Sequence, residues 1–310
     1  MSVTYGVLLF EEYFMLNNFE HSAADDFSES SKDFSHLSKL AVIVALQKEA
    51  QPILQAFCGD YKTWDSYGVT FIQGKIASNS KGENPTLTIC VAGMGKCAAA
   101  AAAQALIIES NPQVLIFSGI AGALNPRLNV GDIVIGKKLH YLETNTQIIA
   151  ECAPYKSVFE SDPKLCDLAA KEAQLLGFRL EKSLEESSSV AGDLSSDFKQ
   201  NESNVNSVSN ENSNNVAYVC GNIATSDQFN TDPNILDAVR ATVFGDCEEM
   251  EGAAAAHIAA KNGVPFLAIR SMSNRCGESY ESVDSHKDDL VLAANQAGSL
   301  TLRVLKALVK

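Results

Sequence analysis

Hydrophobic and polar positions alternate in blocks along this chain. Apolar runs at 40–46, 69–76, 86–92, 113–118, 132–140, 217–224, 242–247 and 265–271 have the length and β-branched character of buried strands. Helical periodicity between them predicts helices over 48–57, 96–109, 163–176, 233–240, 250–262 and 286–309. Continuous apolar strands separated by helices require a sheet covered on both faces. The pattern therefore predicts a single α/β domain built as a three-layer α/β/α sandwich.

Two segments break the pattern. Residues 1–38 are rich in Ser, Asp and Glu around isolated aromatics, and read as a poorly ordered acidic extension of a domain spanning 39–310. Residues 183–215 are almost wholly Ser, Asn and acid, and are expected to form a disordered insertion in that domain, because they cannot bury enough apolar area to offset backbone entropy. The formal net charge of the 310 residues is −14. Seven acids against one Lys in 1–38 and six against one in 183–215 account for −11 of it, so the acidity belongs to the two segments. No basic cluster exists to neutralise a phosphate backbone, which argues against nucleic acid as a partner.

The eight cysteines are scattered singly, without a C-x-x-C pair for a metal or a redox dithiol, and read mostly as small buried hydrophobes. Tyr5–Phe10 is apolar but lacks a preceding basic residue and does not read as a secretory signal. No apolar window reaches the roughly 20 residues of a membrane span. The expectation is a cytoplasmic protein acting on a small molecule, away from membranes.

In α/β sheets ligands gather where strands end, so polar residues there are candidates for chemistry. After the first strand comes Glu49, which is either a first-turn acid favoured by the helix dipole or a carboxylate placed to deprotonate water. The third strand runs into Gly93-Met94-Gly95-Lys96 and the next into Ser118-Gly119-Ile120-Ala121-Gly122. Neither matches a nucleotide-binding glycine motif, but both permit close approach of a ligand to the backbone. Glu248, Glu249 and Glu251 cluster ahead of an apolar helix, where Glu251 either caps the helix or grips vicinal hydroxyls. Arg270 ends an apolar strand and needs an anionic partner, such as Glu49 or a ligand.

Taken together, Ala45-Leu-Gln-Lys-Glu49, the Gly-Met-Gly-Lys turn, Ser118-Gly-Ile-Ala-Gly-Ala, Val130-Gly-Asp-Ile-Val134, Thr225-Ser-Asp-Gln-Phe229 and Glu249-Met-Glu-Gly-Ala-Ala resemble the purine nucleoside phosphorylase/uridine phosphorylase superfamily. Within it they are most similar to the 5′-methylthioadenosine/S-adenosylhomocysteine nucleosidases. The resemblance covers 39–310 apart from the insertion. It implies a mixed, distorted central sheet, a homodimer, a purine nucleoside as substrate, and neither metal nor organic cofactor. It also implies that Glu49 is the base activating water and that Arg270 helps to position that water. Met250 and Glu251 would lie beneath the ribose, with Glu251 holding its 2′ and 3′ hydroxyls. Phe229 would stack on the base and the Asn230 backbone would touch its edge. Met94, Ala121 and Gly122 would line the ribose and base walls, with Glu249 and Ser273 completing the binding set.

One position departs from the resemblance. The family pattern at the last strand is Ser-Asp, whose Asp protonates purine N7, whereas this chain has Ser273-Asn274. A carboxamide has no proton to transfer. General acid catalysis contributes about 10²–10⁴-fold, so Asn274 predicts slow cleavage, as an engineered substitution that traps a ligand or as a natural weakly active or binding-only relative, or else a shift toward 6-oxopurines. His286 falls where the nucleosidases place an aromatic near the 5′ substituent, and reads equally as an exposed residue at a helix start. Phosphorolysis remains the alternative to hydrolysis, since Lys48 or Lys96 offers a cation for phosphate where the phosphorylases use arginines.

Overall fold

The computed structural model describes residue 34 and residues 37–78, 83–188 and 216–310. The chain separates into two units, Met1–Phe34 and Ser35–Lys310, and every described element belongs to the second. The expected acidic extension lies outside the described residues, apart from Phe34, Leu37 and Ser38. Leu37 is buried, and the Ser38 and Lys39 amides both donate to Gln113 Oε1, which ties down the entry to the first strand.

In chain order the elements are β1 (Lys39–Val44), α1 (Gln47–Ala50), β2 (Lys62–Ser66), β3 (Val69–Lys75), β4 (Thr86–Val91), α2 (Lys96–Ser110), β5 (Val114–Ala123), β6 (Ile133–Tyr141), α3 (Thr146–Ile149) and β7 (Phe159–Glu160). They continue with α4 (Pro163–Leu175), β8 (Arg179–Leu180), α5 (Leu184–Ser188), β9 (Ala217–Thr225), α6 (Pro233–Thr242), β10 (Gly245–Glu249), α7 (Gly252–Lys261), β11 (Phe266–Arg275), α8 (Tyr280–Ser285) and α9 (Lys287–Leu308). The sheet runs β10-β9-β6-β11-β5-β1-β4-β3-β2. Its centre is parallel, with β1 flanked by β4 and β5 and β5 by β11, while β2 and β3 add an antiparallel edge. Strand β10 pairs with β9 and also with β5, so five strands close into a ring. This closure is the distortion of the sheet.

Helices α2 and α7 pack together over the sheet through small residues, among them Ala99, Ala102, Ala103, Ala255 and Ala259. Helix α9 packs with α4 and a 3₁₀ turn, Gln51–Ala56, against β5 and β11. The latter two strands are buried along nearly their whole length, as the three-layer reading requires.

Four sequence expectations are corrected. The predicted helix 48–57 is a single turn followed by the 3₁₀ turn, because Pro52 has no N–H to continue the α-helical ladder. Strands β5 and β11 do not stop at 118 and 271 but run on to Ala123 and Arg275, paired with each other and, for β5, with β10. The register of β11 shifts between Met272 and Asn274, a bulge that re-aims the side chains beyond it. The insertion does not begin at 183: Ser183, Leu184 and Ser187 are buried, and the Leu184 amide donates to Asp246 Oδ1. The rest of the insertion, 189–215, lies outside the described residues. Finally, Cys90, Cys166 and Cys247 are buried, but Cys58, Cys97 and Cys152 are exposed on loops and a helix start, where the sheet core does not reach.

Candidate active site

The strand ends open into a cleft of about 190 Å³ walled by Glu49, Met94, Ile120, Ala121, Gly122, Phe229, Asn230, Met250, Glu251, Ser273 and Asn274. Glu248, Glu249, Gln228, Cys276 and Tyr280 line it too. Each wall is delivered by a different local device.

Glu49 occupies the third position of α1, and its carboxylate reaches back to accept the Leu46 amide at 2.8 Å, the return half of a capping box. Its other oxygen accepts the Ile120 amide at 3.0 Å. The side chain is therefore fixed from the start of α1 and from β5 at once. Burial pushes its pKa up, against the opposing pull of the Leu46 hydrogen bond and Arg270.

Arg270 is fully buried on β11 behind the cleft rather than on its wall. Its guanidinium lies over the Phe117 ring at 4.2 Å, with Nη2 donating to Glu249 and 3.9 Å from Glu251. The anionic partner is thus Glu249 first, with Glu49 acting at longer range. Among the described residues, Nε and Nη1 have no hydrogen-bond partner. Gly119 makes this approach possible, since a Cβ there would meet Arg270 Nη1 at 2.2 Å and Glu49 Oε1 at 3.0 Å.

Glu249 ends β10 and binds the start of α7, accepting the Glu251 and Gly252 amides as well as the Thr225 hydroxyl. Glu251 is the N-cap residue of α7, but its side chain makes no cap bond. Instead Oε1 accepts the Gly95 amide at 2.8 Å, from the turn in which Gly93 and Gly95 adopt φ of +86° and +94°. Desolvation, with the neighbouring Glu249 charge, raises Glu251 to about 7. Three buried carboxylates thus face one buried cation, and the cleft floor favours a positive ligand centre.

At the other end, Phe229 is partly exposed and meets Tyr280 edge-on at 5.8 Å, forming an aromatic lip. Ser273 donates to Asn274 Oδ1 at 3.0 Å, and Asn274 Nδ2 donates to the Arg275 carbonyl at 2.9 Å. One Asn274 amide hydrogen is left for a ligand. The Asn230 side chain, not only its backbone, is engaged, donating to Glu248 Oε1. His286 is not brought to this cleft. It borders a smaller neighbouring cavity shared with Ser273 and Asn274, exposed at the junction of α8 and α9, with Nδ1 against the Ser282 carbonyl at 2.8 Å.

Sequence reasoning placed Glu248 in the acidic cluster without assigning it to the site, and missed Tyr280, Gln228 and Cys276. The signal for Glu248 was an acid directly after the apolar Cys247, at a strand position that the closed sheet buries. Tyr280 belongs to α8, a short helix that lies ahead of the helix expected at 286–309 and was not predicted. Among the described residues, no group of His, Cys, Asp and Glu is arranged to hold a metal ion, and no helix is long and apolar enough to cross a membrane.

Comparison with known proteins adds three findings. A family model described as the phosphorylase superfamily matches residues 39–310. The chain is 27% identical to the 5′-methylthioadenosine/S-adenosylhomocysteine nucleosidase of Tolumonas auensis over 87% of this chain and 100% of that protein. It is 25% identical to the aminodeoxyfutalosine nucleosidase of Campylobacter jejuni over 79% and 89%. Among solved structures, the 5′-methylthioadenosine/S-adenosylhomocysteine nucleosidase of Neisseria meningitidis, in complex with methylthio-immucillin-A, superposes with a TM-score of 0.67 at 21% identity, covering 87% of this chain and 100% of that one.

Proposed function

The chain belongs to the phosphorylase superfamily, and from that premise we propose that it hydrolyses the N-glycosidic bond of a purine nucleoside, releasing free base and a ribose derivative. The observation that carries this reading is the pairing of Glu49 and Glu251 on one cleft, each held by backbone amides. Breaking the bond leaves positive charge on the ribosyl ring. Carboxylates below the sugar gain strength as that charge develops, which is what lowers a barrier.

Glu49, with its pKa pushed up by burial, is suited to take a proton from water. Arg270, buried behind the cleft, acts on that water through Glu49, whose charge it helps to hold. Glu251 accepts from the 2′ and 3′ hydroxyls over Met250, and the base stacks against Phe229, with Asn274 at its edge. Met94, Ala121 and Gly122 supply the apolar walls, and Glu249 and Ser273 hold Arg270 and Asn274 in place.

Of the two cations offered for phosphate, Lys48 lines the cleft, whereas Lys96 does not and favours water over phosphate as nucleophile. Its ammonium is bound to Glu143 at 2.6 Å and lies 3.6 Å from Asp227, so its charge is already matched. Substrates of the 5′-methylthioadenosine, S-adenosylhomocysteine or aminodeoxyfutalosine type fit the reading, from the names of the relatives. A homodimer in the cytoplasm completes the proposal, and its oligomeric part is checked by sedimentation. The function itself is tested by base release from methylthioadenosine in phosphate-free buffer; turnover only with phosphate present would move the assignment to a phosphorylase.

A further inference from the structure

Glu248 has no part in that scheme, yet it stands at the base end of the cleft. On β10 it pairs with Gly122, and Gly122 pairs with Asn274 on β11, so the three form one row across the sheet. Directly opposed residues project to the same face, with strands about 4.8 Å apart. Gly122 adds no side chain, and the space above it is shared by its neighbours: a Cβ there would lie 2.8 Å from Cys276 Sγ and 3.3 Å from Asn274 Nδ2. Cys276 and Glu248 both line the cleft, and each influences the ionisation of the other. Glu248 and Asn274 therefore border one gap, spanned by a glycine and a thiol.

The surroundings keep a proton on this carboxyl. Desolvation raises Glu248 to about 7, with the Asn230 hydrogen bond opposing. The charges facing it are both negative, Glu143 from the segment after β6 and Glu249 on its own strand. The residues beside it offer no cation: Gly122 faces it from β5, Ala224 from β9 and Cys276 from just after β11. From α6, Arg240 acts on Cys276 and donates to the Leu124 carbonyl and Asp237.

We propose that Glu248 is the catalytic residue that protonates the leaving purine, filling the role for which Asn274 has no proton. The proposal rests on the nucleosidase reading. As the bond between C1′ and N9 breaks, its electron pair passes to the purine, and the Glu248 carboxyl gives its proton to N7. Water forms the new bond to C1′ and gives a proton to Glu49. After products leave, solvent carries that proton from Glu49 back to Glu248, so the protein ends the cycle unchanged. Asn274 orients the base through its remaining amide hydrogen.

The test compares methylthioadenosine with the same 5-methylthioribosyl unit carrying 4-nitrophenol, a leaving group that departs without protonation. In Glu248→Gln, kcat on methylthioadenosine falls at least tenfold, within the ~10²–10⁴-fold range of general acid catalysis, with little change in KM. The decline of rate above pH about 7 disappears in that variant, while cleavage of the nitrophenyl substrate stays close to wild type. Adding Asn274→Asp to Glu248→Gln restores turnover. Equal losses on both substrates, or no loss on methylthioadenosine, overturn the assignment of Glu248 and leave the nucleosidase reading standing. In wild type, without any substitution, the alkaline decline is present with methylthioadenosine and absent with the nitrophenyl compound; the same decline with both overturns the proposal. A wild-type protein that releases no adenine overturns both readings.

Discussion

Gly119 carries a tight steric demand behind the cleft, since any side chain there collides with the Arg270 guanidinium and crowds Glu49. Gly119→Ala should cost about 1–3 kcal/mol of stability and most of the activity, read by thermal melts and base release on the same sample. Glu49→Gln keeps the shape but removes the proposed base, so kcat should fall about 10²–10⁴-fold; an active Gln variant would show that Glu49 is structural. At this scale much was legible in the sequence. Glu49, Glu251 and Arg270 stand out because a charge beside an apolar run must have a partner. Their pairing was not legible: Arg270 was matched to Glu49 or a ligand, whereas Glu249 holds it, because the closed ring of strands brings β10 alongside β5. Residue 274 alone pointed to a slow enzyme. Only the row Glu248, Gly122, Asn274 places a second carboxyl within range.

Helix α9 fixes the 3₁₀ turn that follows α1 through a close contact. A Cβ at Gly298 would lie 2.2 Å from Pro52 Cγ, with backbone on one side and a rigid ring on the other. Gly298→Ala should therefore destabilise by about 1–3 kcal/mol and lower kcat by displacing the segment that carries Glu49; a variant as stable and active as wild type would show that this contact is slack. Element types were readable from period and composition, since α2, α4, α6, α7 and α9 and the strands of the ring each keep one clean pattern. Their ends were not. Gly119–Gly122 and Ser273–Arg275 read as loops, yet pairing across the ring and a bulge at Ser273 keep them in strand, where Ile120, Ala121, Gly122, Ser273 and Asn274 form the cleft wall. Likewise α5 reads as part of a polar insertion, and its order comes from Asp246, which binds the Leu184 amide across the fold.

For the whole molecule, buried acids set the response to pH. Desolvation raises Asp246 from 3.8 to about 6, and Glu248 and Glu251 from 4.5 to about 7. The unfolded chain releases these protons first, so the stability they contribute is full below pH 4 and lost as pH rises through 6 to 7. Desolvation also opposes Glu143 and Glu181, but hydrogen-bonded ion pairs with Lys96 and Arg179 hold both below the usual range, as Lys138 does for Glu185. Their stabilisation is lost on acidification below about 4.5. The melting temperature should peak near pH 5 and fall toward pH 8; a rise over that interval would show that the three acids are not buried as described. Catalysis by this fold comes down to which nucleophile enters the cleft. The most direct measurement is the sugar product formed from methylthioadenosine with and without phosphate. The account predicts adenine and free 5-methylthioribose at the same rate in both, and a sugar 1-phosphate formed only with phosphate would contradict it.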